Sequence, residues 1–296
     1  MTSRAAATLS VNLPTFGSIP GGDWRRIVTL AQEAEAAGVD RVIVTDHVVM
    51  GRNTDAYAWG RFPMPPDAPW LEPLTLITAM ATATTTLRFA TGILVAPLRP
   101  AALLAKTVAT VDVLSGGRLD LGVGTGWQRE EYEAEGLDFD RRGPLLTDTV
   151  AACRALWEQT PATFESASIA FADVFCEPKP LQSRLPVWFG GTLNARNLRR
   201  IVELGDGWIP IMGSTADDVR AGAEQLGSAF GIQGSPPVVR DDEKRPDLAA
   251  TIAGVGPLVA AGATDIHLNL RAFDPALNDP AAMFTAMVAR FRAELA

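Results

Sequence analysis

Cysteine, histidine and tyrosine each occur only twice in this chain. Cys153 and Cys176 form no CxxC pair and no disulfide framework, so both are expected reduced and partly buried. Two histidines, His47 and His267, with no Cys or carboxylate cluster beside them, give no reason to expect a metal site. No GxSxG elbow or Ser-His-Asp arrangement is present, which argues against nucleophilic hydrolysis. No run approaches the ~18 apolar residues of a membrane helix. The start, "MTSRAAATLSVNLP", lacks the apolar core of a secretory signal. A cytoplasmic protein without a membrane partner is the expectation. Positive charge is also short: 26 Lys and Arg face 34 Asp and Glu, a net charge of −8. That speaks against a phosphate-backbone partner, which needs clustered cations. A small-molecule substrate remains.

The 296 residues are 47% hydrophobic and only 20% charged, enough for a sizeable core. Strand-like and helix-like stretches alternate from end to end. "TLSVNL" at 8–13 reads as a first strand, and Asp23 is placed to cap a helix that Gly38 ends. "RVIVT" at 41–45 is a buried strand, and Pro73 opens the next helix. "LRFATGILVA" at 87–96 is the third strand, followed by a helix opened by Pro100 and ended by Gly116 and Gly117. "RLDLGVG" is the fourth strand, before a helix near 144–158. Further strands are expected at 186–191, 206–212, 236–240 and 265–270, with helices near 193–204, 216–230 and 246–261 and a last one from Ala281. Eight such units predict a (β/α)8 TIM barrel of α/β class, one domain over residues 1–296. A doubly wound open sheet fits the first half but needs no eightfold rhythm. Two long insertions interrupt it, 50–72 after strand two and 160–185 before strand five. The first carries Tyr57, Trp59, Phe62 and Trp70, and would lie at the C-terminal mouth, where barrel active sites are built.

The stretch "GGRLDLGVGTGWQREE" at 116–131 is rich in glycine but is no phosphate loop. A dinucleotide fingerprint needs GxGxxG after the first strand, and a Walker motif needs Gly-Lys-Ser/Thr. Here Gly122, Gly124 and Gly126 alternate along the fourth strand, leaving one face bare for a backbone or a flat ligand. Trp127 stands at the end of that strand. Asp46 and His47 end strand two, where the imidazole could donate a hydrogen bond or a proton. Gly190 and Gly191 end strand five before a helix, an arrangement suited to anions, with Arg196 close by. Arg99 is either a surface charge or an anion contact.

Three segments together resemble the luciferase-like monooxygenase superfamily, and more narrowly its actinobacterial F420-dependent oxidoreductase branch. They are "VTDHVV", the run from "TGILVAPLRP" through "AKTVATVDVLSGGRLDLGVGTGW", and "PVWFGGTLNARNLRRIVELGDGWIP". The resemblance implies a barrel whose mouth binds a deazaflavin (coenzyme F420) or a flavin (FMN). It places a ring-supporting bulge at Gly92-Ile93, often with a cis peptide. It puts Asp46 and His47 beside the ring and lines the same pocket with Val95, Thr125 and Trp127. Gly190 and Gly191 would meet the cofactor phosphate through backbone N–H groups. His47 would be the proton-transferring catalytic residue. A homodimer is implied, and a separate flavin reductase if the cofactor is FMN. Sugar-phosphate dehydrogenases of the deazaflavin group carry Glu where this chain has Trp127 and Trp where it has Gly51, so a sugar-phosphate substrate is not expected. Glu130 is the nearest substitute acid. Two further readings stand beside hydride transfer through F420: an FMN-dependent two-component monooxygenase, and a cofactor-binding protein without turnover.

Overall fold

A computed structural model describes residues 7–58 and 60–296; Trp59 and the first six residues lie outside the described residues. The strands are β1 (Thr8–Asn12), β2 (Arg41–Val44), β3 (Arg88–Thr91), β4 (Leu94–Val95), β5 (Leu119–Gly124), β6 (Ala162–Glu165), β7 (Ala170–Val174), β8 (Val187–Gly190), β9 (Gly207–Ile209), β10 (Gly231–Gly234) and β11 (Asp265–Asn269). The helices are α1 (Arg26–Ala37), α2 (Pro73–Thr82), α3 (Ala101–Ser115), α4 (Arg129–Ala134), α5 (Arg142–Glu158), α6 (Ala195–Leu204), α7 (Ala216–Leu226), α8 (Leu248–Ile252), α9 (Val255–Ala261), α10 (Leu270–Phe273) and α11 (Pro280–Glu294). Strand order β3-β2-β1-β11-β10-β9-β8-β5-β4, closed by a β3–β5 pairing, makes a parallel barrel of eight staves. β3 and β4 are two halves of one stave, interrupted by a cis Gly92–Ile93 peptide. The (β/α)8 barrel expected from the sequence is therefore present. Among the described residues no helix is long and apolar enough to cross a membrane.

Several local expectations are corrected. Asp23 does not cap α1; its carboxylate pairs with Arg25, and the helix starts at Arg26 without a side-chain cap. Pro100 is the N-cap of α3 rather than its first residue. The stave expected at 236–240 is Gly231–Gly234 instead. "PPVVR" carries two residues without an N–H, which a central strand cannot use. The helix expected over 246–261 is broken into α8 and α9. The insertion before the fifth stave holds an antiparallel hairpin, β6–β7. Gly38 and Gly116 end their helices in the left-handed conformation, as expected. Cys153 and Cys176 are free thiols, both buried.

Strand alternation and the observed register sort the inward side chains into layers of four, drawn from alternate staves as in other such barrels. The lowest full layer holds Arg41, Asp120, Gly207 and Asp265, and the next Ser10, Ala90, Trp188 and Gln233. Above lie Ile43, Gly122, Ile209 and His267, then Asn12, Gly92, Gly190 and Ser235 at the rim. The lowest layer is a sealed floor. Arg41 bridges Asp120 (2.6 Å) and Asp265 (3.1 Å), and its guanidinium lies 5.6 Å from the Trp188 ring centre. Gly207 and Gly231 leave the volume that Trp188 fills.

Candidate active site at the barrel mouth

The alternating glycines of β5 do face inward, but their bare face is already occupied. A Cβ on Gly122 would lie 2.0 Å from the Thr91 carbonyl oxygen. One on Gly124 would lie 2.7 Å from Ile93 Cδ1, and one on Gly190 2.8 Å from Ile93 Cγ2. The glycines thus make room for the β3–β4 bulge, and the bulge presents Ile93 between β5 and β8. Ile93 and Gly92 are both partly exposed, so the platform at the mouth is a sec-butyl side chain rather than naked backbone.

Asp46 secures this platform from behind. Its carboxylate accepts from Val95 N–H (2.8 Å) and from both terminal nitrogens of Arg99 (2.7 and 3.0 Å). The Asp46 side chain is fully buried, and Arg99 also reaches Glu72. Burial opposes the charge on Arg99, but Asp46 and Glu72 outweigh it and hold the guanidinium above its ordinary pKa. Arg99 is therefore a structural partner of Asp46, neither a surface charge nor a free anion contact. Val95 is buried too, packed with Leu98, Tyr132 and Gly126; it contributes its N–H and no pocket wall.

His47 is positioned by a residue that the sequence did not single out. Its Nδ1 lies 3.1 Å from Glu131 Oε2, while Glu131 Oε1 accepts from Val48 N–H (2.9 Å). Glu131 is fully buried in α4. Of the two adjacent glutamates in "REEY", only this one turns inward, one residue before Tyr132, whose hydroxyl donates to the Thr125 carbonyl (2.6 Å). Burial pushes the Tyr132 phenol well above its ordinary range.

Around His47 the insertion supplies an aromatic cover. Trp70 (4.6 Å between centroids), Trp127 (5.8 Å) and Phe62 (5.9 Å) meet the imidazole at steep angles. Tyr57 bridges Phe62 and Trp127, and Trp70 stacks on Phe16 at 4.2 Å. Gln128 ties the cover down, accepting from Gly51 N–H (2.7 Å) and donating to the Gly51 carbonyl (3.2 Å). A Cβ on Gly51 would meet Glu130 Cγ at 2.5 Å. The stem of Glu130 therefore fills the space a larger residue at 51 would need.

The description of luciferase-like monooxygenases matches residues 7–280. The chain belongs to the luciferase-like monooxygenase family. An uncharacterised protein of Mycobacterium tuberculosis is 33% identical over 192 residues, covering 63% of this chain and 67% of that one. The FMNH2-dependent dimethylsulfone monooxygenase of Pseudomonas putida is 32% identical over 204 residues, covering 64% of this chain but only 56% of its own. An F420-dependent secondary alcohol dehydrogenase, solved with an F420–acetone adduct, shares the fold with a TM-score of 0.75 at 18% identity, over 97% of this chain and 99% of that one.

Within this family member, His47 and Trp127 are in contact, and with Asp46, Ile93 and Thr125 they follow β2, β3 and β5 at the C-terminal end of the barrel. Gly190 and Gly191 stand differently from the expectation. Gly190 clears space for Ile93, and the Gly191 N–H is already given to the Ile209 carbonyl (3.1 Å). The donors still open at this end are the first N–H groups of α6, which Asn194 caps, together with the exposed Arg196. An anion contact here would fall to them rather than to the glycine pair.

Proposed function

We propose that this protein is an oxidoreductase that seats a deazaflavin ring on Ile93 and moves a hydride between that ring and an organic substrate. The observation that carries the reading is the placement of one apolar side chain between Gly124 and Gly190, at the same barrel end as an imidazole held by Glu131. A flat apolar ring fits such a platform. The bound ring would supply or accept the hydride. The chain does the rest. Ile93 sets the height of the ring, and Asp46 and Arg99 keep the bulge from relaxing. Glu131 holds His47 by Nδ1, leaving Nε2 to carry the accompanying proton. Phe62, Trp70 and Trp127 exclude water from that transfer. The resemblance carried by "AKTVATVDVLSGGRLDLGVGTGW" supports F420 as the ring. A second reading has one specific support, the FMNH2-dependent relative in Pseudomonas putida: reduced FMN and oxygen, with a reductase partner.

Fluorescence titration of the purified protein with F420 and with FMN, side by side, tests both. Micromolar or tighter binding of F420 alone is the expected result. Preference for FMN moves the protein to the oxygen-consuming reading. Binding of neither removes the ring from Ile93 altogether.

A further inference from the structure

The mechanism above uses one histidine of the two. His267 lies on β11 inside the barrel, directly across from Gly122 in the same layer. Its Nδ1 is 3.1 Å from the hydroxyl of Ser235 on the neighbouring stave. Burial disfavours the imidazolium, so the ring is neutral near pH 7. The residue nevertheless keeps some accessible surface. An inward side chain above a sealed floor can expose that surface only toward the mouth. Among the described residues nothing bonds to its Nε2.

The walls of the upper barrel are unequal. The side from β2 round to β9 offers Ile43, Ile93 and Ile209. The β10, β11 and β1 side offers Ser235, His267 and Asn12, all uncharged. Asn12 gives its amide to the Leu13 carbonyl (3.3 Å). Arg271, directly after β11, gives one terminal nitrogen to the Ser18 carbonyl, and its Nε is buried without a partner. Arg41 is locked in the floor. Within the barrel layers themselves this wall carries no cation to compensate a phosphate or a carboxylate. A hydroxyl, ketone or amide oxygen would find a neutral donor or acceptor already aimed by Ser235.

Resting on the ring-on-Ile93 reading, we propose that His267, oriented by Ser235, is a specificity-determining contact that binds the uncharged oxygen-bearing group of the substrate through Nε2. The substrate class is thereby a neutral alcohol, carbonyl compound or amide with an apolar body, rather than an anionic metabolite. A desolvated imidazole discriminates sharply, because leaving its nitrogen unmatched costs more than the bond itself contributes.

The test exploits the scarcity of histidine. With two imidazoles in the chain, a long-range 15N–1H spectrum contains two ring systems, assigned with His47→Gln. Cyclohexanol, cyclohexanone and acetanilide are titrated into the 15N-labelled wild-type protein, with and without F420; cyclohexanecarboxylate and glucose 6-phosphate serve as anionic counterparts. The expected result is a saturable shift of the His267 Nε2 resonance with the neutral compounds and none with the anions. His267→Phe should weaken that binding at least tenfold, His267→Gln should restore part of it, and F420 affinity should stay within about twofold in both. An unmoved Nε2 with every neutral compound, a response to the anions instead, or full affinity in His267→Phe overturns the assignment. Failure of F420 and FMN to bind the wild type strikes only the reading on which it rests, since the imidazole shifts are recorded without cofactor as well.

Discussion

Gly122 and Gly124 share one face of β5 but answer to neighbours of different stiffness. At Gly122 an added methyl would meet a backbone carbonyl, which cannot step aside; at Gly124 it would meet the end of a flexible side chain. Gly122→Ala is therefore expected to destabilise by more than about 3 kcal/mol or to prevent folding, and Gly124→Ala by about 1–3 kcal/mol. Urea unfolding measures the difference, and equal costs would refute the account of the bulge. The folded Gly124→Ala protein should bind F420 at least tenfold more weakly, because Ile93 is displaced. His47→Ala should lower turnover of any accepted substrate by roughly 10²–10⁴-fold while leaving cofactor affinity nearly unchanged. Glu131→Gln keeps the bond to Val48 but alters the partner of Nδ1, so it should shift the pH profile of turnover more than the binding constants. Glu131 was not legible in the sequence, since two adjacent glutamates in one short helix differ only in which side meets the core. Asp46 and His47 were picked out in the sequence as a polar pair ending an apolar strand, and the fold places both at the barrel mouth. Their division of labour was not, because it depends on Arg99, more than fifty residues along the chain.

The insertion at 50–72 and the β3 stave are the elements on which the site depends. Phe16 and Trp70 stack where the insertion rejoins the barrel, and an aromatic pair of this kind contributes about 0.5–1.5 kcal/mol beyond its buried area. Phe16→Ala should leave global stability nearly intact yet make the insertion markedly more sensitive to trypsin at Arg52 or Arg61; unchanged cleavage would show that other contacts hold it. At the other end of β3, the Glu35 carboxylate of α1 accepts from the N–H groups of Thr85 (2.8 Å), Thr86 (2.6 Å) and Leu87 (2.9 Å). Burial works against that charge, but these backbone bonds outweigh it and bring the carboxyl down from 4.5 to about 2. A depressed folded-state value adds stability in full above the unfolded value, and the benefit is lost as pH falls from 4.5 through about 2. Glu35 is well solvated, so the contribution is about 1 kcal/mol after screening. Glu35→Gln should flatten the stability curve between these limits, as followed by thermal unfolding at stepped pH. The staves with continuous apolar runs were readable, and so was the eightfold rhythm. The Gly231–Gly234 stave was not: its glycines are there for Trp188 and Ala263, contacts that no local pattern announces.

At the scale of the whole molecule, the floor of the barrel is held by a buried charge triad. Removing Arg41 would leave Asp120 with Arg88 alone and Asp265 with hydrogen bonds from Thr8, Ser10 and Gln233 but no cation, so Arg41→Met should cost about 3 kcal/mol in urea unfolding. Replacing all three residues by apolar ones of similar volume should recover most of that loss, which separates unpaired charge from lost packing. The sequence disclosed the barrel but not this plug, since its three members lie in three different staves. The plug also dictates traffic. A closed bottom leaves a single door, shared by the ring on Ile93 and by any group that reaches His267 one layer further down. Guests must then queue: whichever lies deeper is first in and last out. Steady-state kinetics of such a cul-de-sac follow a compulsory order, with the second ligand slowing release of the first.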